Sequence, residues 1–147
     1  MTRTAACSCG QLRITVGDQP LRVGLCHCTG CQRRTGSVFA TQASFAPPWH
    51  VEGRWTELRR TGDAGSLFRF HFCPVCGTTL FHREAGQEER RVSVAVGAFA
   101  DGDFRVRPSR STTVPAGPGS RSLPMSFAMI AIRNDAPERH DIRVTHP

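Results

Sequence analysis

Seven cysteines constrain this chain more than any other feature, because they fall into three short clusters between residues 7 and 76. An odd number of cysteines cannot all pair as disulfides. A Cys-x-x-Cys pair followed by glycine is typical of zinc knuckles, where a tight turn points backbone N–H groups at the sulfur atoms. Metal ligation is therefore favoured over a disulfide framework. The clusters are Cys7-Ser8-Cys9-Gly10, Cys26-His27-Cys28-Thr29-Gly30-Cys31 and Cys73-Pro74-Val75-Cys76-Gly77.

Seven thiolates divide naturally into a group of four and a group of three. Four protein ligands close a tetrahedral zinc site, whereas three leave one coordination position open for another ligand. The spacing alone does not decide the grouping. One arrangement is a ribbon-like site with Cys28, Cys31, Cys73 and Cys76 on one ion, which leaves Cys7, Cys9 and Cys26 for the other.

Short stretches of alternating apolar and polar residues predict a mainly β domain, with roughly six short strands in an antiparallel sheet and no long helix. Asp18-Gln19-Pro20 is typical of a turn and predicts a hairpin between the first two strands. Phe68, Phe70 and Phe72 share one face of their strand, which predicts that this face is buried. A single helical turn is expected over Thr29–Thr35. The predicted strands are Leu12–Val16, Leu21–Cys26, Ser37–Phe45, Leu67–Cys73, Thr79–His82 and Arg91–Val96.

The length of 147 residues suits one compact domain, but the composition changes near residue 104. We expect residues 1–104 to form the zinc-binding β domain. Residues 105–147 are rich in Arg, Pro and Ser, and we expect this divergent C-terminal segment to be docked on the core or partly disordered. Pro115–Gly119 is typical of a flexible or extended connector, whereas Met125–Ile132 is apolar enough to dock.

The formal net charge of +7 raises the alternative of a nucleic-acid or chromatin-binding module without catalysis. All 19 basic residues are arginine, which is typical of coding bias in a GC-rich genome. Residues 1–104 carry 12 arginines against nine acidic residues, and residues 105–147 carry seven against three, so more than half of the excess lies in the tail. No basic run is interleaved with aromatic residues, so the sequence favours a small-molecule partner over nucleic acid.

No apolar stretch approaches the roughly 20 residues that a membrane-spanning helix needs. A secretory leader is not expected, because the first cysteine cluster begins at Cys7. Clustered thiols that bind metals are typical of a reducing compartment. We therefore expect a cytoplasmic protein with no membrane partner.

The order of the three cysteine motifs resembles that of a known family. Cys-x-Cys-Gly, then Cys-His-Cys-x-x-Cys-Gln-Arg-Arg-Thr-Gly, then Phe-Cys-Pro-x-Cys-Gly is similar to the family of the glutathione-dependent formaldehyde-activating enzyme and centromere protein V, over about residues 5–99. The resemblance implies a zinc-stapled fold of the β-tent type with two zinc ions. It implies a structural zinc on Cys7, Cys9, Cys73 and Cys76, and an open, catalytic zinc on Cys26, Cys28 and Cys31.

An open site built from three thiolates suits an incoming sulfur ligand better than hydrolysis, because anionic thiolates weaken the polarising effect of zinc on bound water. The resemblance implies glutathione as this thiol and formaldehyde as its carbonyl partner. The expected activity is that of a carbon–sulfur lyase of the S-hydroxymethylglutathione synthase type. A thiol carrier and a zinc-bound scaffold are alternatives without turnover.

Glutathione carries two carboxylates, so a site for it should include hydrogen-bond donors near the metal. The candidates are Arg33, Arg34 and the backbone N–H groups of Gly36 and Ser37. His27 is a candidate proton relay, but a residue between two ligands usually points away from the ion. We expect the two strand histidines, His71 and His82, to lie on strand faces rather than to bind metal.

The C-terminal part departs from the family. Members usually end with a stretch that contains histidine and tryptophan, whereas residues 105–147 contain no tryptophan. One interpretation is translation in a shifted reading frame after about Phe104, because out-of-frame translation of a GC-rich gene produces such a composition.

Overall fold

Nine strands and two short helices make up the described part of the chain in this computed structural model, which covers residues 1–62, 64–102 and 104. The expectations for the segment over residues 105–147 therefore lie outside the described residues. The strands are β1 (Thr2–Ala6), β2 (Arg13–Gly17), β3 (Arg22–Cys26), β4 (Ala40–Phe45), β5 (His50–Glu52), β6 (Thr56–Thr61), β7 (Leu67–Phe72), β8 (Thr79–Glu84) and β9 (Val92–Ala95); the helices are α1 (Thr29–Thr35) and a 3-10 turn at Val96–Phe99.

The strands form two antiparallel sheets. The smaller sheet has the order β1-β2-β5, and the larger has the order β3-β4-β9-β8-β7-β6. Within the described residues, neighbouring strands pair antiparallel in both sheets. The prediction of a mainly β, antiparallel fold is confirmed, and the longest helix among the described residues is the seven-residue α1.

The core lies between the two sheets. Alternate residues of β2 pack from the smaller sheet, and alternate residues of β4 and β9 pack from the larger one, as the two-residue period of a strand dictates. The ring of Phe45 adds an aromatic contact with Phe99, at 5.8 Å between ring centroids. The fully buried side chains of the core include Leu12, Ile14, Val16, Phe45, Leu80, Phe81, Val92 and Val94.

The predicted hairpin between β2 and the next strand is wrong. β2 pairs with β1 on one side and with β5 on the other, so both of its hydrogen-bonding edges are occupied. The turn at residues 18–20 instead carries the chain from the smaller sheet to β3 in the larger sheet. Arg3 of β1 holds the start of this crossing, because its Nε donates to the Asp18 carbonyl oxygen at 2.7 Å.

The predicted burial of one face of β7 is only partly right. Phe70 is buried, but Phe68 and Phe72 are half-buried. On the opposite face His71 is also buried, and its ring stacks on Phe81 at 4.4 Å between centroids. Both faces of this strand are therefore covered.

One face of the larger sheet points away from the core, and we call it the outer face. On β3 the side chain of Val23 packs against the core, so the alternate positions Arg22, Gly24 and Cys26 belong to the outer face. Ser44 lies on the same face and its hydroxyl hydrogen-bonds to that of Ser93 at 2.9 Å. This face leads from the edge of the sheet to the second cysteine cluster.

We expect Leu80→Ala to lower the free energy of unfolding by about 2–5 kcal/mol, because the fully buried side chain leaves a cavity. The matched control is Leu21→Ala at an exposed position, where we expect a change within about 0.5 kcal/mol. Urea denaturation of metal-replete protein measures both values. Equal effects of the two substitutions would contradict this assignment of the core.

Candidate metal centre

Four cysteines come together where the two sheets meet. Cys7 and Cys9 lie between β1 and β2, and Cys73 and Cys76 lie between β7 and β8. Their four Sγ atoms all lie within 4.8 Å of one another. The Cys7–Cys9 and Cys9–Cys73 sulfur pairs are 3.5 Å and 3.7 Å apart. This four-cysteine cluster links a turn of the smaller sheet to a turn of the larger one.

The spacing and donors of the four-cysteine cluster fit a tetrahedral metal ion. Zinc–sulfur bonds of about 2.3 Å place two thiolates roughly 3.8 Å apart. The backbone N–H of Leu12 donates to Cys7 Sγ at 3.3 Å, and that of Val75 donates to Cys73 Sγ at 3.4 Å. The side-chain amide of Gln11 also donates to Cys73 Sγ, at 2.9 Å. These donors stabilise thiolates, which are the form that binds metal.

Glycines close the two turns of this cluster. The Gly10 N–H donates to the Cys7 carbonyl oxygen at 2.8 Å, and the Gly77 N–H donates to the Cys73 carbonyl oxygen at 2.9 Å. Both glycines have positive φ angles, 76° and 73°, a region that side-chain-bearing residues rarely adopt. The tight turns expected from the Cys-x-Cys-Gly and Cys-x-x-Cys-Gly spacings are present.

The other three cysteines form a second cluster at the start of α1. Cys26 ends β3, Cys28 is the N-cap residue of the helix, and Cys31 lies in its first turn. Their Sγ atoms lie within 4.8 Å of one another, and no fourth His, Cys, Asp or Glu from the described part of the chain joins them. The ribbon-like grouping considered above is therefore not the one that the fold produces.

The thiols of this three-cysteine cluster differ in pKa, because their burial and their hydrogen bonds differ. Burial raises the pKa of Cys26 to about 11. Burial also acts to raise the pKa of Cys28, but the Cys31 N–H at 3.4 Å and the neighbouring thiols and Arg60 outweigh it and lower that pKa to about 7. The helix N-terminus thus favours a thiolate at Cys28.

Two arginines flank the three-cysteine cluster. Arg60 of β6 places Nη2 at 3.8 Å from Cys28 Sγ, and Arg34 of α1 places Nη2 at 4.0 Å from Cys31 Sγ. Both guanidinium groups also lie over the ring of Phe70, at 5.5 Å and 4.8 Å from its centroid. Arg34 was among the predicted site residues, whereas Arg60 was missed because nothing near it in the sequence suggests a site.

Gly30 makes the approach of Arg60 possible. A Cβ atom at this position would lie 1.5 Å from Arg60 Nη1, so any side chain here would displace the guanidinium group. The second motif therefore needs a glycine at this position, because the side chain of Arg60, 30 positions further along the chain, packs against it. The sequence offers no local signal for this contact.

The other predicted anion-binding residues lie at the end of α1. Arg33 is exposed. Gly36 is the C-cap with φ 67°, and its N–H donates to the Gln32 carbonyl oxygen at 2.8 Å. The Ser37 N–H donates to Thr35 Oγ1 at 3.3 Å. Both backbone donors have partners within the helix cap, and their proposed role toward glutathione stays a prediction.

None of the four histidines in the described part of the chain belongs to either cysteine cluster. His27 is exposed and its ring lies 5.7 Å from that of Phe39. His71 faces the core, while His82 lies beside Phe70 with 5.0 Å between ring centroids. Neither strand histidine is among the groups of described residues that could hold a metal.

A cavity of about 340 Å³ lies between α1 and the turn that carries Cys76. Arg34 and Thr35 border it from α1, and Cys76 to Thr79 border it from the turn of the four-cysteine cluster.

No helix within the described residues is long and apolar enough to cross a membrane. The site is thus a pair of cysteine clusters at the edge of a β-sheet, with cationic side chains beside the three-cysteine cluster.

A mainly β fold with one cluster of four cysteines and one of three defines a protein able to hold metal ions at two places. Residues 2–114 match the family described as "Glutathione-dependent formaldehyde-activating enzyme", and the chain belongs to this family. No curated protein matches the chain. A crystal structure of a Rhodobacter sphaeroides protein is similar with 23% identity and a TM-score of 0.49, over 65% of this chain and 85% of that one.

Removal of metal should unfold the protein, because a structural zinc site contributes roughly 10–16 kcal/mol of apparent binding free energy, comparable with the whole stability of a small domain. We expect a strong chelator to abolish the cooperative thermal transition seen by far-UV circular dichroism. Elemental analysis establishes the metal content before and after chelation. A cooperative transition that persists in metal-free protein would contradict a structural metal.

The two clusters should respond differently to substitution. We expect Cys73→Ser to remove the cooperative fold, because Cys73 is fully buried and its cluster links the two sheets. The matched variant Cys28→Ser should leave a cooperative transition and lose about one metal ion per chain, because its cluster lies on one short segment, residues 26–31. Equal loss of structure in both variants would overturn this division.

Proposed function

We propose that the three-cysteine cluster holds a zinc ion with one free coordination position that accepts the sulfur of glutathione or a related thiol. The observation that carries the proposal is the convergence of three Sγ atoms without a fourth protein ligand in the described part of the chain. The four-cysteine cluster then holds the structural zinc. Family membership supports glutathione as the thiol and formaldehyde as the aldehyde.

Zinc bound to Cys26, Cys28 and Cys31 would supply a Lewis-acid position at which an incoming thiol loses its proton near neutral pH. The protein groups around it favour an anionic sulfur. Arg60 and Arg34 place two positive charges within 4.0 Å of the cluster's sulfur atoms. These charges offset the negative charge of three thiolates, so a fourth sulfur meets less repulsion.

The proposed reaction forms a carbon–sulfur bond between the thiolate and the carbonyl carbon of formaldehyde. The carbonyl oxygen takes up a proton, and the product is S-hydroxymethylglutathione; the reverse direction breaks the same bond, as in a carbon–sulfur lyase. The protein contributes by binding the thiol beside the positive charges of Arg34 and Arg60, whose guanidinium groups are held over the ring of Phe70. In this proposal the positive charges of Arg34 and Arg60 stabilise the sulfur of the ligand as a thiolate.

Titration of the cobalt-substituted full chain with glutathione tests the proposal. A new sulfur ligand should change the metal–thiolate absorption of one site, and Cys28→Ser should remove that change. The control Thr29→Ala alters the exposed first residue of α1, next to Cys28, without removing a sulfur atom, and it should respond like the unsubstituted protein.

Exchange spectroscopy by NMR then measures how fast formaldehyde and glutathione interconvert with their adduct. Acceleration above the spontaneous rate, lost in Cys28→Ser, would support an enzyme. Binding without acceleration would indicate a carrier. No change of cobalt absorption with any thiol would overturn the proposed function.

A further inference from the structure

A second cavity lies on the outer face of the larger sheet, away from both cysteine clusters. Its volume is about 240 Å³. Four strands contribute to its lining. The lining residues include Arg22 from β3, Phe68 from β7, His82 and Glu84 from β8, and Arg91, which directly precedes β9. β3 and β7 are separated by three other strands in the sheet, so the sheet curves around this space.

The cavity carries an excess of positive charge. Arg91 forms a salt bridge with Glu84, which leaves the charge of Arg22 without a second carboxylate in the lining. Burial, with the charges of Arg34 and Arg91, lowers the pKa of His82 to about 3, so this imidazole is neutral at physiological pH. An anionic group is therefore the ligand that the cavity favours.

Arg22 is the residue best placed to receive such a group. It lines the cavity, and its guanidinium group donates no hydrogen bond to any residue in ranges 1–62 and 64–102 or to residue 104. The pKa of Glu84 is lowered mainly by the hydrogen bond from Ser66 and then by Arg91. The positive charge of Arg22 lowers it further, so Arg22 lies within electrostatic reach of this carboxylate. A carboxylate would give this guanidinium two acceptor oxygens in the geometry it prefers.

The same strand connects this cavity to the three-cysteine cluster. Arg22, Gly24 and Cys26 share the outer face of β3, and a rise of about 3.3 Å per residue puts roughly 13 Å between the first and the last. Gly24, between them, has no side chain, and a Cβ atom built there would meet nothing within 4 Å. The strand therefore leaves an open path along the outer face from the sulfur atoms to Arg22.

We infer that this cavity binds a carboxylate of the thiol whose sulfur reaches the three-cysteine cluster, with the body of the ligand lying over Gly24. This inference rests on the proposed function. The thiol is carried by the middle residue of glutathione, so an extended arm puts either carboxylate at most roughly 8–11 Å from the sulfur, and the Arg22 side chain covers the remaining distance. The substrate class is thus a peptide-like thiol with a distant carboxylate, and small thiols without one cannot reach the cavity.

Titration of the cobalt-loaded full chain with glutathione and with 2-mercaptoethanol tests this inference. In Arg22→Gln we expect the dissociation constant of glutathione to rise about tenfold, while that of 2-mercaptoethanol stays the same. Gly24→Val should have the same selective effect, because its side chain fills the path without touching either end. The matched control is Gly17→Val in β2, where an added Cβ also meets nothing within 4 Å; it should leave both thiols unaffected.

Two dipeptides show which carboxylate enters the cavity. If the γ-glutamyl end binds there, γ-glutamylcysteine will keep its sensitivity to Arg22→Gln; if the glycyl end binds there, cysteinylglycine will keep it. Insensitivity of both dipeptides, or an unchanged glutathione affinity in Arg22→Gln and Gly24→Val, overturns this inference alone. An equal loss of affinity for glutathione and 2-mercaptoethanol also overturns it. The absence of any cobalt response to either thiol in the unsubstituted protein overturns the proposed function as well.

Discussion

The structure depends on the meeting of four sulfur atoms where the two sheets join. Cys7 and Cys9 belong to a turn of the smaller sheet, and Cys73 lies 64 residues further along the chain than Cys9 in a turn of the larger one. Each turn alone is a short loop with a glycine at a positive φ angle. A metal ion at this place would cross-link the two layers around their shared core, which is a strong constraint for a domain of this size.

The three-cysteine cluster depends on a different long-range feature, the curvature of the larger sheet. β3 and β6 are the two edge strands of that sheet, yet Arg60 of β6 contacts Cys28, which follows β3. The two edges therefore meet around α1, and Phe70 lies beneath the arginines that make the contact. The same curvature encloses the cavity at Arg22, so the sulfur site and the cationic cavity are consequences of one bend in one sheet.

Much of the larger sheet was predictable, because the apolar residues of β4, β7, β8 and β9 alternate or cluster as buried strands do. β1, β5 and β6 were missed. β6 reads TELRRT and is mostly exposed, so its sequence carries no apolar period, and β5 is only three residues long. The hairpin predicted after β2 failed for another reason: a turn sequence shows that the chain changes direction but not which strand it joins.

The sequence by itself determined the ligand chemistry of this protein, because short Cys-x-Cys and Cys-x-x-Cys spacings and the glycines after them are local properties. Family resemblance in those motifs, later matched over residues 2–114, came from the same local signal. Only the tertiary structure decided that the sulfur atoms group as four and three, that Arg60 reaches Cys28 through the space left at Gly30, and that Arg22 lines a cavity with residues that lie in or next to three other strands. The physical reason is that these neighbours are set by strand pairing and sheet curvature, which join residues far apart in the chain and leave no periodic trace within either segment.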